Sequence, residues 1–219
     1  MRAIDRRPGV ALRGLIVLLV AAPLLNGCLQ GEGPVVTEQR EARPFTRLEA
    51  GSGIRVVLVI GPAGPLEVAA QANILDAIAT DVTGDTLHVE ATDDFTISAP
   101  VTVTVTTPEL VGLDLSGGAE AQLGGLEDAN LDISLRGGGR LTASGTAGDI
   151  TLSLDGGSKA DLAELAASRI NVVLAGGAEA TVYARDLVEG SASGGAHLLV
   201  QGDPSIRVTT SGGAEVTAG

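Results

Sequence analysis

The chain reads as an all-β protein, a β-helix-like solenoid, and three observations predict that fold. A glycine pair recurs six times through the C-terminal half, at steps of 18 to 20 residues. Apolar and polar residues alternate on both sides of each pair. The apolar positions hold Ala, Val, Leu and Ile with almost nothing larger, as a narrow coil requires. A short fixed period with strand-like flanks marks a chain that stacks on copies of itself.

The pairs are Gly117-Gly118, Gly137-Gly138, Gly156-Gly157, Gly176-Gly177, Gly194-Gly195 and Gly212-Gly213. Two, four and six residues before the first glycine lie Leu115, Leu113 and Val111, then Leu135, Ile133 and Leu131. The next copies give Leu154, Leu152 and Ile150, then Leu174, Val172 and Ile170. Beyond the pairs the inward positions are Ala121 and Leu123, Leu141 and Ala143, Ala160 and Leu162, Ala180 and Val182, Leu198 and Val200, Val216 and Ala218. A period of two is a half-buried strand. Each repeat is therefore two short strands joined at the glycines and closed by a second turn. Glycine suits the joint because a Cβ would obstruct a sharp turn or a close backbone approach. At about 4.8 Å per coil, six coils over residues 110–219 build a column of roughly 25 to 30 Å. Copy five has Val188, Gly190 and Ala192 before its pair, which predicts the thinnest or least ordered coil. A β-sandwich is the competing architecture, and in it the glycines would not share one column.

Residues 45–109 form an N-terminal β portion. A strand spans Arg55 to Ile60 after Gly51-Ser52-Gly53-Ile54, and a second spans Leu66 to Ala70. A helical turn over residues 73–78 puts Ile74 and Ile78 on one face. Strands return over Asp85–Ala91 and Ile97–Thr107, where Val101, Val103 and Val105 alternate with Thr102, Thr104 and Thr106. Residues 28–44 read as a polar tether.

Residues 1–27 read as a lipoprotein signal peptide. Arg2, Arg6, Arg7 and Arg13 head an apolar run from Leu15 to Leu25, too short for a permanent span. The run ends Leu25-Asn26-Gly27-Cys28, which resembles the bacterial lipoprotein cleavage box, and Cys28 is the chain's only cysteine. Lipidation is therefore expected at Cys28. Residue 29 is Leu, not the Asp that retains many lipoproteins at the inner membrane, so the expected location is the envelope, at the outer membrane where the host has two. Removing residues 1–27 takes away a net +3 from the formal −13, leaving about −16. Such a surface repels nucleic acid and anionic headgroups. Membrane attachment is thus assigned to the anchor.

The segment from Phe45 to Val56, the segment from Asn73 to Val89 and the repeated Ser/Ala-Gly-Gly-Ala together resemble the bacterial head GIN domain, described as autotransporter-adhesin heads. The resemblance covers residues 45–217, with Arg55 where the family's name places asparagine. It implies a right-handed β-helix-like solenoid and carries no established activity.

Chemistry is sparse in the sequence. The residue after each Gly-Gly-x triplet forms an outward ladder of Glu120, Arg140, Lys159, Glu179, His197 and Glu215. In register, Glu120 meets Arg140 and Lys159 meets Glu179, which reads as a solvated face with modest pairs. The calcium nonapeptide repeat is missing; its nearest approach, Asp155 to Asp161, has Lys159 in its middle. His88 and His197 lack Cys or His partners at metal-binding spacing, so no metal or cofactor is expected. Asp114 and Asp132 could share one face, but solvated aspartates explain them as well. With no Trp, one Tyr and two Phe, a sugar-stacking cleft is hard to build. No catalytic residue is assigned. The expected role is a non-catalytic envelope scaffold, adhesin-like, with an unknown protein or glycan partner; the alternative is a carbohydrate-binding or carbohydrate-active protein. The last repeat carries no cap, so self-association through the C-terminal end of the column is also expected.

Overall fold

The computed structural model describes residues 29–219; the predicted signal peptide over 1–27 and the predicted lipidation site Cys28 lie outside the described residues. The strands are β1 (Leu29–Gln30), β2 (Val35–Arg40), β3 (Arg47–Ala50), β4 (Arg55–Ile60), β5 (Leu66–Gln71), β6 (Ile78–Thr83), β7 (Thr86–Ala91), β8 (Phe95–Thr96) and β9 (Thr102–Thr107). They continue with β10 (Gly112–Leu115), β11 (Glu120–Leu135), β12 (Arg140–Leu154), β13 (Lys159–Leu174), β14 (Glu179–Ala192), β15 (His197–Gln201), β16 (Ser205–Thr210) and β17 (Glu215–Ala218). A 3-10 turn, Ala72–Ala77, joins β5 to β6.

Strands β11 to β14 each run the length of a repeat and bend at the corner opposite the glycines, where register shifts interrupt the ladder. One flat face runs β9, β4, the first halves of β11 to β14, β15 and β17, all parallel. The other runs β7, β3, β10, the second halves of β11 to β14, and β16, also parallel. The solenoid prediction holds, with a difference in count. Six glycine turns delimit about five complete turns of the coil, because the last copy contributes only β17.

The predicted inward residues fill the space between the faces, and nearly all are buried. Successive coils exchange large for small: Ala121 and Leu123, then Leu141 and Ala143, then Ala160 and Leu162. That exchange lets neighbouring layers interdigitate at close-packed density. Val111 departs from the pattern and is half-buried, because its amide turns to the Thr46 carbonyl at 2.8 Å before the ladder of β10 begins. The residue two after each first glycine also points inward: Ala119, Ser158, Ala178 and Ala196 are fully buried. Ser158 satisfies its hydroxyl by donating to the Asp155 carbonyl at 2.7 Å.

The N-terminal portion belongs to the same column. β3 and β4 pair in parallel with β10 and β11, so the Ser52-Gly53 turn sits directly below Gly117-Gly118. Antiparallel strands then close this end: β6 on one face, β5 and β2 on the other. The 3-10 turn buries Ile74, Leu75 and Ala77 beneath them, in agreement with the predicted helical turn. The tether reading of residues 28–44 is corrected, since Leu29–Gln30 pairs with β8 and Val35–Arg40 (β2) pairs with β5 through all six residues. The side chains of β2 are exposed on both faces at an edge, so no alternation marks it as a strand. The strand expected from Ile97 starts instead at Thr102, because Pro100 interrupts it.

Copy five does not break the stack. β14 pairs continuously with β13 and β16 through Gly190, between the buried Val188 and Ala192.

Candidate functional site

The turn glycines divide into two kinds. Gly117, Gly137, Gly156, Gly176, Gly194 and Gly212 all have φ between 56° and 73°, a region that L side chains enter at a cost of about 1–2 kcal/mol. They also stack on each other: a Cβ on Gly194 would lie 2.8 Å from the Gly176 carbonyl oxygen, and one on Gly212 3.1 Å from the Gly194 amide nitrogen. The second glycines differ among themselves. Gly118, Gly138 and Gly213 have positive φ, giving turns of the I′ kind closed by amide bonds such as Ala119 to Ser116 at 3.0 Å. Gly157, Gly177 and Gly195 do not, and their Cβ positions meet nothing closer than 3.7 Å. Only the first of each pair is structurally demanded throughout.

The outward ladder is assembled as its register predicts, and it is longer. Arg55, Glu120, Arg140, Lys159, Glu179, His197 and Glu215 occupy successive rungs. Arg55 contacts Glu120 at 3.0 Å, Arg140 reaches Glu120 at 3.8 Å, Lys159 meets Glu179 at 2.6 Å, and His197 meets Glu215 at 3.6 Å. The Lys159 ammonium, by hydrogen bond and charge, holds the Glu179 carboxyl below its ordinary value. Another coil-to-coil pair, Arg169 with Asp149 at 2.8 and 2.9 Å, lowers Asp149 by the same means and raises Arg169.

The opposite face carries Asp114 and Asp132, and each has its own arginine. Arg136 contacts Asp114 at 3.5 Å. Arg47 reaches past Gly112 to Asp132 at 3.4 Å, and it can do so because a Cβ on Gly112 would lie 2.4 Å from its Nη1. These carboxylates are not a facing acid–base pair. His88 lies beside Glu49 at 3.1 Å and across β6 and β7 from Asp81. Asp155 and Asp161 accept local amide hydrogen bonds from Gly156 and Ala163 at 2.7 and 3.2 Å. Among the described residues no group of three or more His, Cys, Asp or Glu side chains converges as a metal would require.

Two arginines that sequence reasoning missed guard the N-terminal edge. Arg40 donates to the Ile78 carbonyl and, at 3.0 Å, to the Leu75 carbonyl; Arg43 donates to the Val82 carbonyl. They occupy outward carbonyls of edge strand β6, which would otherwise template another chain. No local signal marks them, since their partners are backbone atoms 35 to 39 residues away.

With the column and its ladders in view, comparison with known proteins is informative. The family model described as "Putative auto-transporter adhesin, head GIN domain" matches residues 44–204. The chain belongs to the head GIN domain family. No curated protein matches it significantly. A Bacteroides fragilis structure described as a putative adhesin superposes with a TM-score of 0.66 at 16% identity, covering 87% of this chain and 97% of that one. A Parabacteroides distasonis putative adhesin gives a TM-score of 0.58 at 13% identity, with 88% and 100% coverage. A putative lipid binding protein of the same species gives 0.53 at 17% identity, again with 88% and 100% coverage. At these identities the structures share the GIN fold.

Proposed function

We propose that this head GIN domain protein is exported, lipid-anchored at Cys28, and acts at the cell envelope as a non-catalytic, adhesin-like interaction scaffold. The observation that carries the reading is the pairing of its ionisable groups. The displaced carboxyls of Asp149 and Glu179 and the guanidinium of Arg169 each owe their displacement first to a partner on an adjacent coil. Active sites displace titratable groups by desolvation and convergent charge; here Arg55–Glu120, Lys159–Glu179 and Arg169–Asp149 pair from coil to coil along exposed faces. The family's description supports an adhesive role and a place at the cell exterior. The cleavage box at Leu25–Cys28 supports the anchor.

The test uses the soluble 29–219 fragment on a glycan array and on immobilised envelope and surface proteins, alongside polysaccharide lyase and hydrolase assays. Saturable binding without turnover is expected; robust turnover would replace the scaffold with a carbohydrate-active protein. The same proposal includes pairing of two copies through β16 and β17, where Ile206 is 38% exposed and Val208 and Val216 are half-buried. Sedimentation should show a concentration-dependent dimer that Ile206→Lys removes. Monomer at every concentration would reject that pairing.

A further inference from the structure

The residues after Cys28 are bound to the fold from Leu29 onward. β1 pairs in parallel with β8, and the Gly31 amide donates to the Thr96 carbonyl at 2.7 Å. Asn73, on the 3-10 turn that plugs the column, clamps the strap from both sides. Its Nδ2 donates to the Gln30 carbonyl at 2.8 Å and its Oδ1 accepts from the Glu32 amide at 2.8 Å. Gln71, 4% exposed, donates to the Gly33 carbonyl at 3.5 Å, and the Ala72 amide donates to the Pro34 carbonyl at 3.2 Å. Gly31 is buried because Gln71 lies against it: a Cβ there would be 2.4 Å from Oε1.

An acyl chain on Cys28 would therefore have no spacer. One residue spans at most about 3.6 Å, so the plugged end of the column is drawn to the headgroups. That end carries two exposed large apolar residues, Val35 at 49% and Val36 at 37%, one on each face of the terminal edge strand β2. Its charges do not favour an anionic membrane, since Glu32, Glu38, Glu41, Asp76, Asp93 and Asp94 are all exposed there. The attraction must come from lipid attachment and the valines. The far end is distant. From β2 through β5, β9, β4, β11 to β14 and β15 to β17 there are nine strand-to-strand steps, or about 43 Å at 4.8 Å each.

We infer that residues 29–34 are a strap that stands the column upright on the bilayer by its plugged end, with Val35 and Val36 at the lipid surface and β16 and β17 held about 43 Å outward. This rests on lipidation of Cys28. Because Cys28 is the only cysteine, and acylation blocks its thiol, a second cysteine can be labelled uniquely. Thr37→Cys and Thr217→Cys, both at exposed positions, would carry a fluorophore on the acylated full chain in phosphatidylcholine vesicles containing nitroxide-headgroup lipid. Palmitate incorporation is measured on the same samples, with Cys28→Ser as its control.

Quenching at position 37 several-fold stronger than at 217 is expected. A twenty-residue Gly-Ser insertion between Cys28 and Leu29 should remove most of that difference. Palmitate incorporated with equal quenching at both positions, or a difference that survives the insertion, overturns the upright strap while the anchor reading stands. No palmitate incorporation overturns both.

Discussion

Replacing Gly190 with alanine places a methyl carbon 1.9 Å from the Val172 carbonyl oxygen on the neighbouring coil. Real Cβ contacts below 3.0 Å essentially do not occur, so the strands must part by at least about 1.1 Å at this rung. An amide bond stretched by that much leaves hydrogen-bonding range. Losing the two ladder bonds beside the rung costs about 0.5–1.5 kcal/mol each. Gly190 also has a φ of 131°, and a side chain held there adds about 1–3 kcal/mol. Together these predict a loss of about 2–6 kcal/mol. Gly157→Ala is the control, since its Cβ meets nothing within 4 Å and its φ is not positive. It should be neutral, or stabilising by up to about 1 kcal/mol through the unfolded chain. Urea unfolding of the 29–219 fragment, followed by circular dichroism, compares the two. Hydrogen exchange along β13 and β14 should place the loss at the rung, because coils interact chiefly with their neighbours. A Gly190→Ala protein within about 1 kcal/mol of Gly157→Ala would refute the close approach.

Other perturbations have expected outcomes of their own. Ser52 is the one non-glycine among the described residues with positive φ, at 57°, so Ser52→Gly should stabilise by about 1 kcal/mol in the same unfolding assay. Asp149 and Glu179 are held below their ordinary values, so their pairs contribute stability above the unfolded carboxyl pKa and lose it as pH falls through the folded one. Unfolding midpoints of the wild type and a Lys159→Ala, Arg169→Ala double variant should therefore differ near neutrality and converge as pH falls through the lowered folded-state values. High salt should shrink the same gap at neutral pH. Arg40→Ala with Arg43→Ala uncovers the carbonyls of Ile78 and Val82, and light scattering should detect added association through β6 in an Ile206→Lys background; scattering unchanged from the parent would mean the arginines are not guards.

What was legible in the sequence, and what was not, follows from how local each signal is. The turn column and inward stripe repeat every 18 to 20 residues, so Leu152 or Val172 could be placed inside from a pattern alone. The N-terminal portion hid its membership of the column because Ser52-Gly53 lacks the pair, and because β3 and β4 find their partners among the repeats more than 60 residues later. β2 escaped notice because an edge strand exposed on both faces has no alternation to read. Leu126 and Leu165 are buried at corners where bulges break the period of two. Ion pairs along one ladder were predictable from register, whereas Arg47 reaching over Gly112 needs the missing side chain to be seen in place.

The alignment of the glycine turns makes the column a ruler graduated in coils. Cutting out residues 157–176 would join Gly156 to Gly177 and restore an Asp-Gly-Gly-Ala-Glu turn. Arg140 would then face Glu179, its opposite in charge, on the adjoining rung. The reach of the molecule would shorten by about 4.8 Å while the plug at one end and the last strands at the other kept their own neighbours. Lineages that gain or lose such units could adjust how far a binding surface stands from its base in uniform increments, without redesigning either end.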